Sequence, residues 1–189
     1  MTEQADNILI QRCKLRDKDA YRVLVERYKK QAYGFAFSYL KNVDDAFNIS
    51  QESFIRAWNA ISKFEDGRSF RSWLFSIVKN LSLNLILKKK RLREISLDHA
   101  MEESGFDIAD NSNDPLETLE KKEQRAQVWS AVMMLKDEFR EIIILKHFND
   151  LSYNEISETL DIPAGTVMSR LYHARLSLKE NLAQAMKRG

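Results

Sequence analysis

The chain holds 189 residues, 44% of them hydrophobic, with ten Phe, six Tyr and three Trp, enough apolar material for one or two compact domains. Five Gly and two Pro leave little turn chemistry for tightly connected strands, and the single cysteine, Cys13, excludes an internal disulfide framework and fits a reducing compartment. The net charge of +2 conceals an asymmetry: residues 1–97 carry 19 Lys/Arg against 11 Asp/Glu (+8), residues 98–120 eight acids and no Lys or Arg (−8), and residues 121–189 11 against nine (+2).

Such blocks predict two domains joined by an acidic tether. Residues Met1 to Asp6 have neither the basic start nor the apolar core of a signal peptide. No apolar run approaches the roughly 20 residues of a spanning helix. A cytoplasmic protein without membrane insertion is expected.

Leu24, Tyr28, Ala32, Phe35 and Tyr39 recur at helical spacing and line one apolar face. Asn42 to Asp45 breaks the pattern, with Asp44 suited to cap a second helix whose inward stripe is Ala46, Ser50, Phe54, Ala57 and Ile61. The segment Lys63 to Ser69 reads as a loop. A third helix follows with Phe70, Leu74, Ile77, Leu81 and Leu85 inward, ending on the basic run Lys88 to Arg91. Taken alone, that run fits a solvated helix end as well as a binding site. These elements define a first domain over residues 1–95.

Residues 96–117 show no sustained period and are rich in Ser, Asn, Asp and Glu, the composition of a flexible linker. Helical spacing resumes with Leu119, Ala126, Trp129 and Met133, then Phe139 and Ile143, opening a second domain over 118–189. No stretch alternates with the period of a strand. The expected fold is all-α: two small helical domains, the second containing a helix-turn-helix.

That motif is the most specific in the chain. In Leu151-Ser-Tyr-Asn-Glu-Ile-Ser-Glu-Thr-Leu160, Ser152 and Glu155 have the spacing of a capping box. Pro163 fits the first turn of the next helix, where its missing N–H is harmless. Val167, Leu171, Ala174 and Leu178 then face inward, which leaves Thr166, Ser169, Arg170 and His173 on another face. A short helix, a tight turn and a polar-faced second helix suit major-groove reading. By spacing alone, an ordinary helical hairpin with a solvated basic face fits too.

Phe139-Arg-Glu-Ile-Ile-Ile-Leu-Lys146, Leu151-Ser-Tyr-Asn-Glu-Ile156 and Ile162 to Arg175 together closely resemble the last domain of bacterial sigma factors. Asp45 to Trp58 resembles the polymerase-binding helix of that family, and Phe70 to Asn80 its helix for the promoter −10 element. Two such domains in this order, covering about residues 10 to 185, are similar to the extracytoplasmic-function group. The resemblance implies a factor that binds core RNA polymerase, through the β′ clamp helices and the β subunit, and directs promoter-specific initiation. It implies no catalytic residue, no cofactor and no metal, and an anti-sigma factor as a further partner.

Carried over by position, polymerase docking falls to Gln51, Glu52, Phe54 and Trp58, although the spacing places Phe54 in the core. Phe47 and Asn48 stand where the family usually has acids. At the −10 element, Arg68, Arg71, Lys79, Lys88 and Arg91 neutralise phosphates while Asn80 and Asn84 reach base edges. Asn84 replaces a frequent Asp. Phe64 and Trp73 are the aromatic candidates to receive an unstacked base, with burial the competing reading for Trp73.

At the −35 element, Arg170 pairs with guanine, Thr166 and Ser169 reach bases or phosphates, and His173 and Arg175 contact the backbone. Met168 replaces a common basic residue and Asp161 the usual turn glycine. A stand-alone repressor or activator with the same motif would need a dimer and no docking helix. Scattered His99, His147 and His173, one cysteine and no glycine-rich phosphate loop argue against an enzyme. The acidic linker reads either as a solubilising spacer or as a polyanion that occupies nucleic-acid surfaces of the polymerase.

Overall fold

The structure is a computed structural model describing the backbone of residues 2–95 and 119–186 and the side chains of 6–92 and 123–184. The linker expected over 96–117 lies outside the described residues. Among those described there is no strand. The helices are α1 (Thr2–Lys14), α2 (Lys18–Leu40), α3 (Val43–Ala60), α4 (Phe70–Ile95), α5 (Leu119–Met133), α6 (Asp137–Ile143), α7 (Tyr153–Leu160) and α8 (Ala164–Met186). Helical spacing of apolar residues foretold most of these.

In the N-terminal half, α2, α3 and α4 pack on one another and α1 lies against α2. Leu24, Tyr28, Ala32 and Phe35 of α2 meet Ala46, Phe54 and Ala57 of α3 and Phe70, Leu74, Phe75 and Val78 of α4. The α4 register differs slightly from expectation. Phe75, Val78 and Ser82 are buried, whereas Ile77 and Leu85 are only half-buried. The expected Asp44 cap is also corrected: Asn42 holds extended backbone, and its side-chain oxygen accepts from Asp45 N–H at 2.9 Å. Asp44 sits instead in the first turn, where its charge favours the positive end of the helix dipole.

A helix not anticipated from the sequence, α1, buries Ile10 and Cys13 and ties down through Asp6, whose carboxylate accepts from Arg27 and Tyr28. Burial pushes the Cys13 thiol up to about 11, so it stays a neutral, unreactive filler at ordinary pH.

In the C-terminal half, α6 runs into a π-helical turn, Ile144–Phe148, that buries Ile144 and Leu145. Around this turn pack Val132 and Leu135, Ile156 and Leu160 of α7, and Val167, Leu171 and Ala174 of α8. Ala126, expected inward on α5, is exposed, and Ala131 and Val132 take the buried face.

The two halves meet directly. Helix α7 packs on α4, and α2 packs on α6. One continuous apolar core runs through both. Arg140, 3% exposed, reaches from α6 to donate to the Ser38 carbonyl at 2.9 Å, and Tyr39 donates to the Glu141 carboxylate.

Candidate nucleic-acid interface

The C-terminal site is built from α7, a tight turn and α8. The Ser152 hydroxyl accepts from Glu155 N–H at 3.3 Å, and the Glu155 carboxylate accepts from Ser152 N–H at 2.8 Å, completing the capping box. At the other end Asp161 takes the left-handed conformation, φ 57° and ψ 50°, and turns the chain toward α8. The Pro163 carbonyl accepts from Thr166 N–H at 2.9 Å and Val167 N–H at 3.1 Å, so proline stands just ahead of the helix it starts.

Burial of Val167, Leu171 and Ala174 fixes the rotation of α8 and leaves Ser169, His173 and Arg175 exposed, with Thr166 and Arg170 half-buried. The Ser169 hydroxyl donates back to the Thr166 carbonyl at 3.1 Å. The Arg170 guanidinium lies 3.8 Å from Glu138 and 3.7 Å from Glu141. Arg175 lies 3.4 Å from the His147 ring nitrogen, and burial, then Arg175 and Lys146, lower the His147 pKa. Sequence reasoning missed Tyr172, which is 63% exposed on this same face, one turn beyond the exposed Met168. Its helical spacing from Met168 is the signal by which the sequence could have shown it.

On the N-terminal half, α4 spaces the basic and amide residues along its length. Asn80, Asn84, Lys88 and Arg91 are exposed. The residues at its beginning have protein partners. Ser69 donates to a Glu155 carboxylate oxygen at 2.6 Å, which Arg71 also approaches to 3.4 Å. Arg71 further donates to the Asp150 carbonyl at 3.3 Å, Arg68 sits 3.8 Å from Glu158, and Lys79 donates to the Leu160 carbonyl at 2.7 Å.

Burial, the largest single influence on Glu155, acts to raise its carboxyl. Hydrogen bonds from Ser69 and Ser152, with Arg71 nearby, outweigh it and hold the group below the usual carboxylate range.

Phe64 does not face outward from its loop. It is 5% exposed, with its ring centroid 4.9 Å from Trp73 and 6.2 Å from Phe70. Trp73 is half-buried in that aromatic cluster.

On α3, Gln51 is exposed, Glu52 pairs with Arg56 at 2.8 Å, and Phe54 is buried as its spacing indicated. Trp58 packs half-buried against Tyr21, its ring centroid 4.8 Å away, and carries Arg16 over its face at 5.6 Å. Phe47 and Ile55, one turn to either side of Gln51, are 54% and 57% exposed. They extend this face with apolar surface that residue type alone assigned to no role. Among the described residues no group of three His, Cys, Asp or Glu side chains could hold a metal ion, and no helix is long and apolar enough to cross a membrane.

A helical N-terminal half with a long polar-edged helix, followed by a helix-turn-helix half, defines a DNA-reading regulator of transcription. The description Sigma-70 region 2 matches residues 24–92, and Sigma-70, region 4 matches residues 125–178. The ECF RNA polymerase sigma factor SigW of Bacillus subtilis (strain 168) is 34% identical over 176 residues, 92% of this chain and 94% of the relative. The ECF RNA polymerase sigma-E factor of Escherichia coli (strain K12) is 31% identical over 193 residues, the whole of both chains.

Among solved structures, the sigma factor RpoE in complex with the anti-sigma factor NepR from Bartonella quintana superposes with a TM-score of 0.72 at 26% identity, covering 88% of this chain and 98% of that one. CnrH in complex with the cytosolic domain of CnrY shares the fold, with a TM-score of 0.69 at 24% identity over 95% and 98% of the two chains. The chain belongs to the ECF family of RNA polymerase sigma factors. Proteins of this family act with core RNA polymerase in promoter-directed initiation and regulate transcription rather than catalyse a reaction themselves.

Proposed function

We propose that residues 1–95 dock on core polymerase and recognise and melt the promoter −10 element, that 118–189 read the −35 element, and that 96–117 tether the two. The observation that carries this reading is the rotation of α8. Its apolar residues are buried and Ser169, His173 and Arg175 are offered to a groove, with Thr166 and Arg170 at the edge of the same face. On the N-terminal half, Asn80, Asn84, Lys88 and Arg91 supply donors and charge along a single exposed edge of α4. Gln51, with Phe47 and Ile55, supports a docking face on α3 for the β′ clamp helices.

An anti-sigma factor is a further proposed partner, supported by the likeness to a sigma factor solved in such a complex.

The test is run-off transcription from a random promoter library with core polymerase, alongside gel shifts with and without core enzyme. Promoter-specific transcripts that need both chain and core are expected, with weak DNA binding by the chain alone. Within the selected −35 element, Arg170→Ala is expected to relax base preference, at about 1–3 kcal/mol for a lost bidentate pair. Arg175→Ala is expected to weaken binding to all sequences and flatten the salt dependence. Tight sequence-specific binding by the free chain would favour a stand-alone repressor instead.

A further inference from the structure

We propose that Met168, with Tyr172 one helical turn beyond it, reads the −35 element by its thymine methyl groups. The inference rests on the −35 role proposed for α8 and names the chemistry of its base readout. Burial of Val167 and Leu171 turns the next position after each of them outward, so that Met168 is 55% and Tyr172 63% exposed. A single exposed apolar side chain is ordinary on a protein surface. Two of them one turn apart, with Leu176 continuing the row a further turn on at 44% exposure, make a ridge that stays bare among the described residues.

The ridge is part of a nucleic-acid face rather than a protein contact. From Ala164 to Lys179 the helix carries no Asp or Glu, so nothing along it repels phosphate. Exposed Ser169 and His173 flank the ridge, and the Tyr172 and His173 rings stand edge to face with centroids 5.3 Å apart. Near the start of the helix Gly165 has no side chain, and open space surrounds the point where its Cβ would stand. The first turn is therefore slim beside Met168, as the end of a helix that enters a groove must be.

Donors for bidentate readout are scarce here. Between Ala164 and His173 there is no Lys, Asn or Gln, and the one Arg, Arg170, stands at the edge of the face, 3.8 Å from Glu138 and 3.7 Å from Glu141. The Ser169 hydroxyl already donates to the Thr166 carbonyl. What the middle of the face offers a base edge is a thioether and an aromatic ring. In the major groove only thymine presents an apolar group, its C5 methyl, and apolar side chains select it. Met168 is flexible and polarisable enough to follow that methyl, while the Tyr172 ring sets a rigid wall beside it.

The experiment measures binding of the holoenzyme, the full chain with core polymerase, to duplex promoters carrying the −35 element selected from the random library. Each thymine of the element, on either strand, is replaced in turn by uracil, which removes the methyl and keeps every hydrogen-bonding group. The parent should lose about four-fold in affinity for each methyl that the ridge covers. Uracil in the spacer between the two elements is the control and should leave binding unchanged. Met168→Ala combined with Tyr172→Ala should bind thymine and uracil promoters alike, and each single variant should lose part of the sensitivity.

A parent that heeds scrambling of the −35 element but ignores every uracil overturns the methyl readout and leaves the ridge to a protein partner. An equal loss from uracil in the spacer, or a sensitivity that survives intact in the double variant, overturns it as well. If scrambling the −35 element itself changes nothing, the −35 role of α8 is what fails.

Discussion

At the end of α7, Asp161 sits at φ 57° in the left-handed region that costs a side-chain-bearing residue about 1–2 kcal/mol, less for Asp and Asn. Its N–H donates to the Ser157 carbonyl, and Ser157 in turn donates to the Ile162 carbonyl at 2.5 Å, so the turn is held by its neighbours rather than by Asp161 itself. Asp161→Gly is therefore expected to stabilise the chain by about 0.5–1 kcal/mol, read as a higher midpoint in urea with an unchanged slope. A lower midpoint would mean that the carboxylate has a partner worth more than the backbone relief.

Single residues were legible in the sequence where a local rule governed them. Ser152 and Glu155 announced their cap by spacing, whereas the turn at Asp161 was marked only by the resemblance, as a position where the family usually has glycine. Phe64 was not legible, because an aromatic in a loop carries no signal for which side of the chain it turns to. The cluster with Phe70 and Trp73 that draws it in forms only when α4 folds back on the loop.

Among the helices, α3 separates two neighbouring acceptors that a sequence pattern cannot. Asn42 and Asp44 both have capping side chains, but only the residue in extended backbone can reach the first free N–H groups, and that is Asn42. Asn42→Ala should cost about 1 kcal/mol of stability and Asp44→Ala clearly less, by thermal or urea melts. Equal losses would return the cap to Asp44. Helix α1 escaped notice because it buries little beyond Ile10 and Cys13, two residues three apart, too few to make a stripe.

Where the two halves meet, Glu141 at the α6–α2 contact and Glu155 at the α7–α4 contact respond to pH in opposite senses. Burial, outweighing Tyr39, Lys79 and Arg170, holds the Glu141 carboxyl above the usual range. Its contribution to stability is therefore full below the unfolded value and lost as pH rises through the folded one. Glu155, held low, contributes above the unfolded value and loses that contribution as pH falls through its folded one. Glu141→Gln keeps an acceptor for Tyr39 without the buried charge. It should raise the melting temperature at pH 7, by up to about 1 kcal/mol of stability, with the gain shrinking as acid protonates the parent carboxyl.

For the whole molecule, the local pattern pointed to helices in two groups, but not to the single core that the two groups share. The contacts joining them pair residues 102 positions apart, as Tyr39 with Glu141, or 86 apart, as Ser69 with Glu155. No periodicity or motif reaches across such intervals. Charge blocks suggested separation, because the acid concentrated in residues 98–120 reads as a spacer whatever the flanking halves do.

With one apolar core through both halves, heating should give a single cooperative transition. Arg140→Ala removes the donor to Ser38 from the centre of that contact and should split the transition into two by calorimetry. A single transition at a lower temperature would show that the halves are joined chiefly by apolar packing.

The pairing of Arg71 with Glu155, and of Arg68 with Glu158, also sets how much bare charge the chain offers to a crowded genome. A chromosome offers on the order of a million or more non-specific sites, each attractive to exposed cations through phosphate alone. A guanidinium that already faces a carboxylate of its own chain has less to gain from a phosphate. Each such pair therefore lowers the indiscriminate attraction to random sequence and leaves the unpaired donors to carry the choice.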